Sequence, residues 1–161
     1  MNTNADASNP EAPQPPPVVI NGQYIKDFSF EAPHAPGIFA EIKSPPEVLI
    51  NIDVKADRIQ DNVFESTLLF HIEGQVGEKK AFIVELTYCG VVAVHVPNEH
   101  LQPVLLIEVP RLLFPFARAI ISDVTRDSGF PPLMIAPVDF VSLYRQRMEE
   151  LAASAKPEQM N

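Results

Sequence analysis

The sequence predicts an α+β domain: a four-stranded antiparallel sheet, read as a meander, followed by helices. Three observations carry this expectation. Between residues 23 and 96, apolar and polar side chains alternate with a period of two in four separate runs, the pattern of strands with one covered face. From residue 98 onward the spacing changes to that of a helix. Apolar residues make up 46% of the 161 residues, enough to build one real core.

The first run, "QYIKDFSFE" (23–31), places Tyr24, Phe28 and Phe30 on one side and Ile25, Asp27, Ser29 and Glu31 on the other. "APHAPG" (32–37) ends it, because two prolines and a glycine break ladder pairing. In "EVLINIDVKA" (47–56), Val48, Ile50, Ile52 and Val54 point inward while Asn51, Asp53 and Lys55 point outward. "NVFESTLLFHIEG" (62–74) follows, with Phe64, Leu68, Phe70 and Ile72 on one face. After the turn "GQVGEK", the run 80–96 sets Phe82, Val84, Leu86 and Tyr88 inward against Ile83, Glu85 and Thr87. Gly90 interrupts the alternation and is expected to mark a bulge or bend.

"NEHLQPVLLIEV" (98–109) reads as a short helix with Asn98 as its cap, weakened by Pro103. "RLLFPFARAIISDV" (111–124) continues in helical spacing between Pro110 and Gly129, with a kink or late start expected at Pro115. Last comes "DFVSLYRQRMEELAASA" (139–155), capped by Asp139 and striped by Phe140, Leu143, Tyr144, Met148 and Leu151. The domain is thus expected over 23–155. A proline-rich, disordered arm precedes it (1–22), where a PxxP ligand role for "PQPP" competes with a plain solvated tail, and a flexible tail (156–161) follows.

The 111–126 helix is apolar on two sides. Leu113, Phe116, Ile120, Ile121 and Val124, with their neighbours, cover most of its circumference, although one apolar stripe would serve a surface helix. Only one face can lie on the sheet. Exposing four large side chains would forfeit roughly 6–12 kcal/mol, at about 1.5–3 kcal/mol each. The economical partner is a second copy of the chain; the alternative is that the C-terminal helix covers this face within one subunit.

The net charge is −9, and residues 23–144 hold 16 acids against 9 bases. This balance opposes nucleic acid and anionic membrane as partners and suits a basic protein. The lone cysteine, Cys89, excludes a disulfide framework. With no basic and apolar leader pattern and no apolar run near the ~18 residues of a membrane span, the expectation is a soluble, cytoplasmic protein. An enzyme would have to use Cys89, His95, Glu99 and His100. The five-residue histidine step does not converge two imidazoles on a metal as a helical step of four does. The GxxG in "GQVGEKK" (74–80) lies between strands, where a hairpin turn fits better than a nucleic-acid loop between helices.

Three segments carry a family resemblance: "YIKDFSFEAPHAP" (24–36), "GEKKAFIVELTYCG" (77–90) and "LLFPFARAIISDVTRDSGFPPLMIAPVDF" (112–140). In this order they resemble the SecB family of bacterial protein-export chaperones, over roughly residues 23–148. The resemblance implies a SecB-like domain assembled as a homotetramer, a dimer of dimers, with long helices between the dimers. It implies an ATP-independent chaperone, not an enzyme, that holds unfolded preproteins in the cytoplasm and delivers them to the SecA motor. The acidic SecA-binding site falls on Asp27, Glu31, Ile83 and Glu85. The client-binding groove falls on Tyr24, Val48, Ile50 and Phe82, with Phe140 and Leu143 from the helix side. The family's zinc belongs to the tail of SecA, so no metal or cofactor is expected of this chain. Family members often carry a tryptophan in the loop after the first strand; here "EIKSPPE" (41–47) fills it. The alternative to a general chaperone is an oligomeric scaffold for one basic protein partner.

Overall fold

The computed structural model describes residues 11–155. Four strands, β1 (Val18–Glu31), β2 (Glu47–Gln60), β3 (Val63–Val76) and β4 (Lys79–Val94), precede the helices. All pairings are antiparallel. The strands β2, β3 and β4 form a meander as expected, with tight turns at Asp61–Asn62 and Gly77–Glu78 where Asn62 and Gly77 take positive φ. β1, however, lies beside β4, in the order β1-β4-β3-β2. The connection 32–46 therefore crosses from one edge of the sheet to the other, a Greek-key path. Three inter-strand spacings are only about 14 Å, well within reach of that segment.

β1 begins at Val18, which pairs with Val94, and His95 N–H donates to Pro17 O at 2.8 Å. Residues 18–22 thus belong to the sheet and not to the arm expected over 1–22. Residues 11–17 carry no regular structure; residues 1–10 and the tail 156–161 lie outside the described residues.

The register of β1 slips twice, between Ile20 and Gly22 and between Ile25 and Asp27. The second slip inserts Lys26 as an extra residue and inverts the faces on either side of it. Tyr24 therefore sits opposite Cys89, on the face of the sheet away from the helices, and Ile25 sits opposite Tyr88 on the helix face. The expected grouping of Tyr24 with Phe28 and Phe30 is overturned by that one inserted residue.

On the helix face, Val54, Phe64, Leu68, Phe70, Ile72, Val84, Leu86 and Val92 are buried. Gly90 stays in unbroken register with Ser66 and makes no bulge. It is small because the helix lies on it: a Cβ there would stand 2.9 Å from Leu113 Cδ2. Gly74 likewise leaves room for the Phe82 ring, since its Cβ would stand 2.4 Å from Phe82 Cε1.

The helical segment is continuous from α1 (Asn98–Pro103) through a π turn (Val104–Glu108) into α2 (Val109–Asp127). In the π turn, Val109 N–H donates to Val104 O, five residues back. This irregularity lies between Pro103 and Pro110, and no break occurs at Pro115. Arg111 and Pro115 are both exposed, so the donor that Pro115 lacks is missing on an exposed stretch of the helix and not in the core. Beyond α2, Thr125 Oγ1 donates to Ile121 O and accepts from Leu133 N–H, both at 2.9 Å, which pins the 128–135 segment under the sheet end. α3 (Phe140–Ser154) starts at Asp139, whose Oδ1 accepts from Ser142 N–H at 3.1 Å.

Candidate functional site

Among the described residues, three surfaces stand out once the core is filled. The first is the face of the sheet away from α2. The ladder β1–β4 sets Glu31 opposite Ile83, Ser29 opposite Glu85 and Asp27 opposite Thr87. Asp27, Glu31, Ile83 and Glu85 are thereby brought together on one face, as the alternation of both strands requires. The neighbouring strands extend the acidic surface: His71 pairs with Glu85 on one side and Asn51 on the other, and Glu73 pairs with Ile83. A depression of about 300 Å³ is lined by Asp27, Asn51, Asp53, His71, Glu85 and Thr87.

Hydrogen bonds organise these charges. His71 Nδ1 lies 3.1 Å from Glu85 Oε1 and its Nε2 3.1 Å from Glu73 Oε1. Lys80 Nζ reaches the same Glu73 oxygen at 3.2 Å. The Glu73 bond, then the Glu85 bond, holds His71 above the usual imidazole range; His71 and then Lys80 hold Glu73 below the usual carboxylate range. Further along the face, Tyr24 Oη and Lys26 Nζ both donate to Glu65, Lys26 at 2.8 Å. Lys26 foremost, with Tyr24, keeps the Glu65 carboxylate ionised, and the Glu65 bond pushes the Tyr24 phenol up.

The second surface lies where α3 crosses the β2 edge, with an apolar base and a polar rim of Asp53, Gln146, Arg147 and Glu150. A groove of about 320 Å³ is lined there by Ile52, Val54, Leu106, Leu143, Tyr144 and Arg147, among others. Arg147 bridges its rim, donating to Val54 O and to Asp53 Oδ1. Val48 and Ile50 stand on the same face of β2 as Ile52, and Ile50 is exposed. Phe82 and Phe140 do not open onto it: they are 2% and 1% exposed. The Phe82 ring is covered by Phe30 and Phe130, with centroids at 6.0 and 5.1 Å, and Phe140 meets Phe114 edge-on at 6.0 Å. Tyr24 lies on the opposite face of the sheet. Of the six residues expected to form one groove, Leu143 lines it; Val48 and Ile50 lie further along the same face of β2, Phe82 and Phe140 are core, and Tyr24 stands apart.

The third surface is the outer side of α2. Leu112 and Phe116 are 48% and 52% exposed, with Ile120 and Val124 half-buried beside them. Leu113 and Ile121, expected with these, are fully buried against the sheet. The helix is apolar on two sides as its spacing implied, and α3 does not cover the second side.

The sequence had already placed Asp53 outward but did not join it to the acidic face, and His71 and Glu73 were missed. Their alternation with Phe70 and Ile72 was the available signal; which strands neighbour one another was not. Ile52, Leu106, Tyr144 and Arg147 of the groove were missed because α3 is seated by tertiary packing alone. Cys89 is fully buried, 3.5 Å from Thr67 Oγ1 and far from any catalytic pairing with His95 at the strand end.

Comparisons with known proteins agree with this architecture. The family model for the preprotein translocase subunit SecB matches residues 11–151. A protein-export protein SecB of Rhodospirillum rubrum is 55% identical over 153 residues, covering 95% of each chain. That of a Bradyrhizobium strain is 53% identical, covering 94% of each, and one from Rhodopseudomonas palustris is 47% identical, covering 96% of this chain and 99% of its own. Among solved structures, a SecB-like chaperone of Mycobacterium tuberculosis, in complex with a peptide from an antitoxin, superposes with a TM-score of 0.64 at 14% identity, over 75% of this chain and 90% of its own. That likeness concerns the fold. Fold and sequence kinship converge: the chain belongs to the SecB family of preprotein-export chaperones.

Proposed function

We propose that the chain works in the cytoplasm as a homotetramer, a dimer of dimers, that holds unfolded preproteins without catalysis or ATP and passes them to SecA. The observation that carries the partner assignment is the single acidic column of Asp27, Glu31 and Glu85 with Ile83 at its end. A flat sheet face with exposed carboxylates and an apolar contact suits a basic tail, and such attraction is screened beyond about 8–10 Å at physiological salt. Client chains bind along the groove between the β2 edge and α3, where Ile52, Leu106, Leu143 and Tyr144 offer apolar area and Val48 and Ile50 continue the same face of β2. Phe82 and Phe140 stay in the core, and Tyr24 lies on the opposite face of the sheet.

Assembly is supported by the open side of α2, where Leu112 and Phe116 are exposed and Ile120 and Val124 are only half-buried. The edge strand β1, with Val19, Ile25 and Phe28 exposed, is available for joining two sheets. The deciding experiment pairs Asp27→Lys with Glu85→Lys and measures SecA affinity and suppression of aggregation of a denatured client. SecA binding should fall sharply and weaken further with salt, while client holding persists. Unchanged SecA affinity in the double variant would place the partner site elsewhere.

A further inference from the structure

His71 is the one residue of the acidic face whose two bonds demand a particular protonation state. Both ring nitrogens point at carboxylate oxygens, Glu85 Oε1 and Glu73 Oε1, each at 3.1 Å. A neutral imidazole has one donor and one acceptor nitrogen, so one of these contacts would set lone pair against lone pair; the imidazolium donates to both. The remaining surroundings favour the cation too. Asn51, uncharged, and Asp53, which is itself paired with Arg147 of α3 at 3.2 Å, line the depression from β2, and the carboxylate of Asp27, unpaired among the described residues, lines it from β1. From β4 the facing groups are Glu85 and Thr87, and Lys80 acts only through its contact with Glu73.

This geometry has a consequence for any cationic partner, and it rests on the reading of this face as a docking site. Glu85 is 58% exposed at its side chain and projects beside Asp27, whereas Glu73, 21% exposed, is shared with Lys80. The Glu85 contact is therefore the one that an incoming ammonium or guanidinium can take. We propose that His71 is the internal counter-ion of the docking face, and that a basic partner binds by taking Glu85 from it, with partial release of the imidazolium proton to solvent. The exchange balances: one ion pair breaks, another forms on the same carboxylate, and, because His71 keeps its bond to Glu73, only a fraction of the imidazolium population gives up its proton to solvent. Near neutral pH, where histidine titrates, docking is then proton-coupled. Acidification favours the closed pair of His71 and Glu85, and alkaline pH frees Glu85 for the partner. His71 is a positioning residue that acts through Glu85.

The test compares wild type with His71→Gln in calorimetric titrations with SecA between pH 6.0 and 8.5, at fixed ionic strength and in two buffers of different ionisation enthalpy. Wild-type affinity should rise by about two- to fivefold across this range, the worth of one exposed ion pair, with net proton release. His71→Gln should bind more tightly than wild type at pH 6.0 and lose the His71 share of both the slope and the proton release. An identical pH slope and proton count in the two proteins would overturn the proposal. If SecA binds neither protein at any pH, the assignment of the partner fails, and hexalysine then decides the coupling. Release of a proton from wild type alone supports it, and equal release overturns it. Equal thermal melting of the two proteins at pH 7.5 separates this effect from a change in fold.

Discussion

Leu113 rests directly on Gly90: its Cδ2 would lie 2.9 Å from a Cβ built on that glycine. This approach seats α2 on the centre of the sheet. Gly90→Ala should therefore overpack the contact and cost about 1–3 kcal/mol, and Leu113→Ala should leave a cavity costing about 2–5 kcal/mol. The double variant should be less destabilised than the sum, because the second change makes room for the first. Denaturant unfolding of the four proteins measures this coupling; simple additivity would contradict it.

The two sides of α2 should fail in different ways. Ile120→Asp and Phe116→Asp place a charge on the uncovered side and should split the assembly into smaller folded species. Ile121→Asp buries an unpaired charge against the sheet, where Ile121 is fully buried, and should unfold the subunit itself. Native mass spectrometry combined with circular dichroism distinguishes the outcomes. An unchanged oligomer mass for Ile120→Asp would refute the interface.

The alternation of β2, β3 and β4 was legible because each strand has one covered face and runs without a slip through its central residues. β1 was legible only in part. The inserted Lys26 leaves no mark in the apolar pattern, since Tyr24 and Ile25 are both large and apolar, so either could have been taken as the inward residue. The position of β1 beside β4 was equally hidden, because a connection as long as 32–46 can return to either edge. Gly90 was read as a defect in the strand, yet it records the approach of a helix distant in sequence. For the same reason Leu113 and Ile121 could not be separated from Phe116, Ile120 and Val124 by spacing alone. The acidic face could be read strand by strand, but the His71 contacts needed the register between strands.

Thr125 is buried and bonds on both sides, to the Ile121 carbonyl and from the Leu133 N–H. Thr125→Val keeps the shape but strands the Leu133 donor, at a cost of about 1–3 kcal/mol. Thr125→Ser should recover most of that loss. Equal melting of the valine and threonine proteins would show that the hydroxyl does not hold the 128–135 segment.

Glu65 carries a pH signature. Its folded-state carboxyl is held below the ordinary value of 4.5, chiefly by Lys26 and then by Tyr24. A carboxylate depressed on folding adds stability that is fully present above its unfolded value and lost as the pH falls through the folded one. Glu65→Gln should thus melt below wild type at pH 7 and converge with it toward pH 3. A gap that persists undiminished in acid would contradict the assignment.

Phe82 should behave as core. Its ring lies over Gly74 between Phe30 and Phe130, so Phe82→Ala should destabilise the subunit by about 3–5 kcal/mol. Thermal or denaturant unfolding checks this directly. A variant of native stability with weakened client binding would restore Phe82 to the groove surface.

The chaperone account turns on many weak apolar contacts spread over each subunit and added through effective concentration. Its most direct measurement is calorimetric titration of one unfolded polypeptide, cut to several lengths, into wild type and into Leu143→Glu on the groove wall. Affinity should climb steeply with client length, carry a negative heat-capacity change from apolar burial, and drop at every length in Leu143→Glu. Equal affinity at all lengths, unaffected by Leu143→Glu, would contradict the groove and leave a scaffold for one folded partner.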